Sequence, residues 1–335
     1  MPATEFLDTL SHRSLSEQES YRTFTDILDG AMSDIEIAAL LAAMKTRGET
    51  ADEITGAARA ILAQARPFPQ PAYPVADTCG TGGDGLGTIN VSTAAAFVAA
   101  AGGVPVAKHG NRATSSRTGS ADVLEALGLD LEASPDSTRR ALDRARVCFL
   151  FAPAYHPGIR KAAAVRRTLR TRTVMNLLGP LVNPVRPAWQ VMGVYAPHLV
   201  RPIAQTLQRL GVTAALVVHG SGLDEIALHG PTTAALVRDG RITDLVLTPE
   251  DARLPRAPIS ELAGGGPAES AVWLRQLLEG RAPTAHTNSV ALNAGALFWV
   301  AGVADSLAAG AQLASGIIIA GAGAERLELL LKEAA

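Results

Sequence analysis

Apolar positions over the first 65 or so residues return at helical spacing behind polar caps. Ser16 with Glu19, Ser33 with Glu36 and Thr50 with Glu53 each set a hydroxyl three residues ahead of a carboxylate, the capping-box pattern. Behind the second box, Ile37, Leu40, Leu41 and Met44 form one apolar stripe, and Gly48 is placed to end the helix. This stretch therefore predicts a small helical unit. The segment ARPFPQPAYP follows, with prolines at 67, 69, 71 and 74 that neither continue a helix nor sit inside a central strand, and marks a domain boundary.

Beyond the prolines the pattern alternates. Short apolar runs (VPVAKHG, VCFLFA, WQVMGVY, TAALVVHG) are separated by helical stretches such as 134–146 and 199–210, the latter followed by Gly211. Strand-helix alternation predicts a mostly parallel sheet covered by helices. In TTAALVRDGRITDLVLTP, Asp239-Gly240 is a two-residue hairpin signal and predicts a local all-strand insert. The C-terminal third returns to Ala- and Gly-rich helices. The expected fold class is α/β: a small N-terminal helical domain plus a larger α/β domain with a central, mostly parallel sheet flanked by helices.

Composition changes this picture little but narrows the function. The chain has 335 residues, enough for about two domains, and a formal charge of −2, so no basic field gathers nucleic acid and an anionic ligand must be held locally. Two cysteines, Cys79 and Cys148, without zinc spacing fit a reducing compartment and argue against a disulfide framework. The N-terminus MPATEFLDTLSHR is acidic and lacks an apolar core, so it does not read as a signal peptide, and the uncharged stretch 89–107 is interrupted by polar residues, glycines and Pro105. The expectation is a cytoplasmic protein with no membrane and no nucleic-acid partner.

The candidate chemistry begins at CGTGGDGLGTINVST, 79–93, where five glycines free the main chain for close approach of a ligand and let successive N–H groups face phosphate oxygens. The bland alternative is a tight strand-to-helix turn, since neither GK[ST] nor GxGxxG spacing is present. Three further segments favour a phosphate site. Asn90 to Thr93 lie at the N-terminus of the helical run AAAFVAAA, where free N–H groups favour anions, although simple capping reads equally well. KHGNRATSSRTGS, 108–120, follows a strand and gathers Lys, His, Asn, two Arg and several hydroxyls where open α/β sheets bind ligands; a solvated loop is its plain alternative. Asp224 and Glu225 in HGSGLDEIALHGPT stand in a glycine-flanked turn, and beside a polyphosphate they are natural ligands for Mg²⁺.

GTGGDG, NxST, KHGNR with its trailing SS, NLLGPLxNP and GLDE, in this order, resemble the anthranilate phosphoribosyltransferase family of tryptophan biosynthesis, over nearly the whole chain. The resemblance implies Mg-dependent transfer of the 5-phosphoribosyl group from phosphoribosyl pyrophosphate (PRPP) to the amine of anthranilate, releasing pyrophosphate. It implies that Gly80, Gly83, Asp84, Thr88, Asn90, Val91, Ser92, Thr93, Lys108, His109, Gly110, Asn111, Arg112, Ala113, Thr114, Ser115, Ser116 and Ser120 bind PRPP. Ser92, Asp224 and Glu225 would carry Mg²⁺, two ions per subunit. Gly80, Asn111 and Arg166 would hold anthranilate, with His109 and His156 lining its approach. From the residues alone, Arg166 and Arg167 stand equal as the carboxylate anchor.

The resemblance also implies a helical domain of 1–70 with a returning segment near 166–183, an α/β domain of 73–165 and 184–335, a homodimer through the helical domain, and a separate anthranilate synthase as candidate partner. No covalent nucleophile or general base is assigned, because the aromatic amine is already neutral near pH 7 and the developing charge lies on pyrophosphate. Arg170 stands where the family usually has Gly, Ser221 where it has Asp, and Ile159 where a larger side chain is frequent. Two other readings compete: a pyrimidine nucleoside phosphorylase, whose loop is of KHS type, and a non-catalytic relative that binds nucleic acid. Of the remaining histidines, His12 and His198 read as exposed and His219 and His229 as structural, and His286 has no sequence context.

Overall fold

The computed structural model describes residues 3–113 and 117–333. Helix α1 is Ala3–His12, and each of the three capping boxes opens a further helix: α2 Glu17–Asp29, α3 Asp34–Arg47 and α4 Ala51–Ala63, all three boxes closed reciprocally. Gly48 ends α3, its N–H donating to the Met44 carbonyl at 2.9 Å. The proline segment then crosses to the sheet as irregular chain, with Phe68 buried beneath it.

Seven strands form one sheet: β1 Ala76–Gly80, β2 Val106–Gly110, β3 Val147–Phe151, β4 Trp189–Gly193, β5 Ala214–His219, β6 Thr232–Arg238 and β7 Arg241–Leu247, in the order β3-β2-β1-β4-β5-β6-β7. The first five are parallel and the last two antiparallel. The Asp239-Gly240 turn, with both residues at positive φ (52° and 69°), joins β6 to β7 as the sequence predicts. The hairpin is not a local insert, however. β6 pairs with β5 from Ala214 opposite Arg238 to His219 opposite Thr233, so the hairpin extends the main sheet.

Alternation along the strands divides the core in two. Leu216 and Val218 face the C-terminal helices Thr284–Val300 and Leu307–Ile319, together with helix α5, Val91–Ala101. Ala215, Val217, Met192 and Val194 face the other way, toward the helix Val200–Arg209 and the N-terminal helices. Residues Ala162 to Val182 leave the sheet and contribute Val165, Met175, Leu177 and Leu178 to that second core. Because β1, β2, β4 and β5 run parallel, their carboxyl ends share one edge, and the glycine loop, the 111–119 loop and the 220–231 turn all emerge there. No single helix among the described residues is long and apolar enough to cross a membrane.

Candidate active site

The glycine loop leaves β1 at Gly80 and bends back through Gly82 and Gly83, at φ 69° and 81°, values that an L side chain rarely adopts. The Gly82 N–H donates to Asp224 Oδ2 at 2.7 Å. A Cβ on Gly80 would collide with the Asp224 carboxylate, and one on Gly193 with the Asp224 backbone, so Asp224 is wedged between the ends of β1 and β4. The far end of the loop is pinned by 262–264: Ile89 N–H donates to Leu262 O at 2.9 Å and Gly264 N–H to Gly87 O at 2.8 Å.

Helix α5 begins without a side-chain cap. Asn90 instead donates from Nδ2 to the Thr118 carbonyl at 3.2 Å, and the free Ser92 N–H donates to Glu225 Oε1 at 3.1 Å. The helix N-terminus thus faces a carboxylate of the protein itself, as its dipole favours. Lys108 is buried, and its Nζ donates to the Thr78 carbonyl at 2.6 Å and to Ser92 Oγ at 3.2 Å. Burial, then the charge of Asp84, raises the Asp224 carboxyl to about 6; burial, then the charge of Asp224, raises Glu225 to about 8, with Lys108 opposing. Asp224 and Glu225, with the Ser92 hydroxyl beside Glu225 and Asp84 beside Asp224, offer oxygen donors of the kind a hard divalent cation takes, although the described residues hold no ready-made cluster of three or more acidic ligands.

Behind them Asp77, fully buried in β1, accepts from Asn183 Nδ2 at 2.9 Å and from the His109 N–H at 3.4 Å, and burial raises its carboxyl to about 6. Sequence reasoning missed Asp77 and Asn183. The available signal was an acid inside an apolar strand just ahead of the glycine loop.

His109 and His156 meet edge to face, ring centroids 5.1 Å apart. His109 Nδ1 lies 3.0 Å from the Gly179 carbonyl, which assigns it the proton, while its Nε2 is buried without a hydrogen-bond partner and His156 has only a weak backbone interaction with Val182. Burial lowers His109 to about 3, with His156 adding to the shift, and lowers His156 to about 4, so both rings are neutral. Asp122 holds Ala113 and Gly119, its Oδ2 accepting from both N–H groups, each at 2.9 Å. Ser120 Oγ lies 3.5 Å from the Asn111 carbonyl. Arg112 borders the same cleft, and its guanidinium makes a two-pronged contact with Glu125 at 2.5 and 2.7 Å and lies 5.7 Å over the Phe151 ring. Thr114, Ser115 and Ser116 lie outside the described residues.

One cleft is lined by Gly80, Gly83, Asp84, Thr88, 90–93, 108–113, Ser120, His156, Arg166, Asp224 and Glu225. Arg166 borders it with its pKa lowered by burial, whereas Arg167 is exposed and borders nothing there. The fold therefore separates two arginines that the sequence left equal. Ile159 also lines the cleft. Arg170 ends the helix Ala163–Leu169 in the left-handed conformation, φ 47°, which explains a preference for glycine there. His219 accepts from the Gly222 N–H at 3.3 Å and contacts the Val194 carbonyl at 2.8 Å, and His229 contacts the Ser221 carbonyl at 3.2 Å; both brace the acidic turn structurally.

A helical bundle set against an α/β sheet, with glycine loop, carboxylates and arginine in one cleft, defines a class. Residues 8–65 match the model described as "Glycosyl transferase family, helical bundle domain", and residues 72–324 the one described as "Glycosyl transferase family, a/b domain". Among curated relatives, the anthranilate phosphoribosyltransferase of Sorangium cellulosum is 56% identical over 313 residues, 93% of this chain and 90% of that one. The crystal structure of the Thermus thermophilus enzyme superposes with a TM-score of 0.93 at 45% identity, covering 100% of this chain and 99% of that one. The Saccharomyces cerevisiae enzyme solved with PRPP and Mg gives a TM-score of 0.89 at 26% identity, covering 99% and 97%; the same enzyme has been solved with 4-fluoroanthranilate, with a TM-score of 0.86 at 25% identity, covering 96% and 93%. The chain belongs to the anthranilate phosphoribosyltransferase family.

Proposed function

We propose that this enzyme transfers the 5-phosphoribosyl group of PRPP to the amine of anthranilate, giving N-(5-phosphoribosyl)anthranilate and pyrophosphate, the second step of tryptophan biosynthesis from chorismate. The observation that carries the reading is the convergence, in one cleft, of a glycine loop, the buried pair Asp224 and Glu225, and Arg166. The loop suits a pyrophosphate, the carboxylates suit its metal, and the guanidinium suits a carboxylate.

In this reading PRPP lies along Gly80, Gly83, Asp84, Thr88, 90–93, 108–116 and Ser120. Mg²⁺, two ions per subunit, is held through Ser92, Asp224 and Glu225, and when bound supplies charge neutralisation for the leaving pyrophosphate. Thr81, Gly82 and Leu86 spend their N–H groups on Gly193, Asp224 and Asp84, so the remaining loop N–H groups would donate to the same charge, each donor of this type being worth about 10² to 10³ in rate. Lys108, occupied by the Thr78 carbonyl and Ser92 Oγ, keeps the acidic turn neutralised from below.

Anthranilate lies against Gly80 and Asn111 with its carboxylate on Arg166. The His109 Nε2 lone pair accepts an N–H of the amine and turns the nitrogen lone pair toward C1 of the ribose. The C–O bond to pyrophosphate breaks as the C–N bond forms, and the new ammonium then loses its proton to solvent. A ring held near pKa 3 orients the amine and does not deprotonate it beforehand.

We further propose a helical domain of 1–70 with 166–183 and an α/β domain of 73–165 and 184–335. Homodimerisation through the helical domain is supported by exposed apolar residues there, Ile35 at 82% and Leu7 at 36%. A cytoplasmic location and a separate anthranilate synthase upstream belong to the same reading. The test is anthranilate fluorescence over time with purified protein, PRPP and Mg²⁺, repeated with EDTA. Decay that needs both PRPP and metal is expected; none from folded protein overturns the assignment.

A further inference from the structure

The glycine loop is anchored at both ends. Thr81 N–H donates to Gly193 O at 3.0 Å and Thr81 Oγ1 accepts the Tyr195 N–H at 3.1 Å, while 262–264 holds the exit. The middle has fewer ties. Gly82 N–H reaches Asp224, and the Gly83 carbonyl accepts from Arg172 Nη2.

Arg172 is exposed, on the segment that leads from the helix Ala163–Leu169 to the buried Thr173. It follows Arg170, the left-handed end of the helix Ala163–Leu169, and its neighbour Thr171 accepts from Lys45 Nζ of α3. On the other side Thr173 N–H donates to Asn176 Oδ1 at 3.1 Å. The guanidinium lies 4.5 Å over the Tyr195 ring, so its direction is set by stacking as well as by the hydrogen bond. Gly83 and Asp84 line the cleft, and the Gly83 carbonyl is held by the Arg172 guanidinium. The peptide is trans, and a trans peptide points its N–H opposite to its C=O, so the Asp84 N–H points away from Arg172.

We propose that Arg172 is a positioning residue for the phosphate end of the substrate: from the segment after the helix Ala163–Leu169, it fixes the peptide plane that turns the Asp84 N–H toward the bound phosphates. The proposal rests on the reading of the cleft as a PRPP site. Tyr195 is the second half of the device, because it is both the stacking platform for Arg172 and the strand-end anchor for Thr81.

Arg172→Ala tests it. KM for PRPP rises roughly three- to thirtyfold, the range of one charge-assisted hydrogen bond at a part-exposed site, while kcat and KM for anthranilate stay within about twofold. Arg172→Lys, which keeps a donor but not the fork, recovers part of the loss. Tyr195→Leu mimics Arg172→Ala, and the two together cost less than their product. An unchanged KM for PRPP, or an equal rise for anthranilate, overturns the proposal.

Amide hydrogen exchange over 81–87 in the ligand-free protein is read in parallel, with Arg172→Met as the variant that keeps the stem on Tyr195. Faster exchange confined to the loop supports the tether, and exchange identical to wild type removes it. If the wild-type protein does not consume PRPP, the functional reading fails, and the exchange measurement still decides the tether.

Discussion

Gly80 has an ordinary backbone conformation, so its missing side chain serves a neighbour: the space is filled by the Asp224 carboxylate. Gly80→Ala is expected to displace Asp224, raise the Mg²⁺ concentration needed for half-maximal activity at least about tenfold, and cost about 1 to 3 kcal/mol in urea unfolding. Unchanged metal dependence would detach Asp224 from the metal. His156 makes a different statement. Its folded pKa is about 4 against about 6.5 unfolded, so its contribution is complete above pH 6.5 and is lost as pH falls toward 4. Asp77, raised by burial, works in the opposite sense, so the effect is read as a difference. Wild type should lose about 2 kcal/mol relative to His156→Asn between pH 7 and pH 5 in urea unfolding. Parallel curves would mean that the folded protein already carries the imidazolium. The pairing of His109 with His156 was not readable from residues 47 positions apart, since no local pattern links them.

At the scale of elements, one motif has two energetic meanings. Glu36 and Glu53 both occupy the third position of a capping box, and local spacing identifies both. Glu53 is fully buried, accepts the Leu15 and Thr50 N–H groups at 3.0 Å each, and pairs with Arg47. Glu53→Ala leaves the buried Leu15 N–H unpaired and removes the carboxylate partner of the part-exposed Arg47, and should cost about 2 kcal/mol in urea unfolding; Glu36→Ala should cost clearly less. Equal losses would mean that burial adds nothing to the cap. The hairpin shows the same limit of local signals. Asp239-Gly240 specifies the turn because both residues tolerate positive φ, but nothing in the turn says that β6 also pairs with β5. The N-terminus of α5 is another case: Asn90 reads as a cap, yet its amide reaches Thr118 and the free Ser92 N–H is met by Glu225.

At the scale of the molecule, the exposed Ile35 near the start of α3 is an apolar side chain that the monomer leaves in water. Ile35→Asp is expected to shift the protein from dimer to monomer in light scattering without lowering the urea-unfolding slope of the monomer; a wild-type monomer at micromolar concentration would overturn the dimer outright. Helix starts, strand runs, the hairpin turn and the order of the motifs were all legible in the chain, because caps, periodicity and turn conformations are properties of residues a few positions apart. The glycine loop and the LDE turn were likewise visible as chemistry in search of a ligand. What no local pattern could supply was which groups meet. Gly82 and Asp224 are 142 positions apart, Asn183 and Asp77 are 106 apart, and the choice of Arg166 over Arg167 depends on which side of a short helix faces the cleft. Those contacts, and the burial that shifts Asp224, Glu225 and the two histidines, exist only once a parallel sheet has brought the carboxyl ends of separate strands to one edge and excluded water from between them.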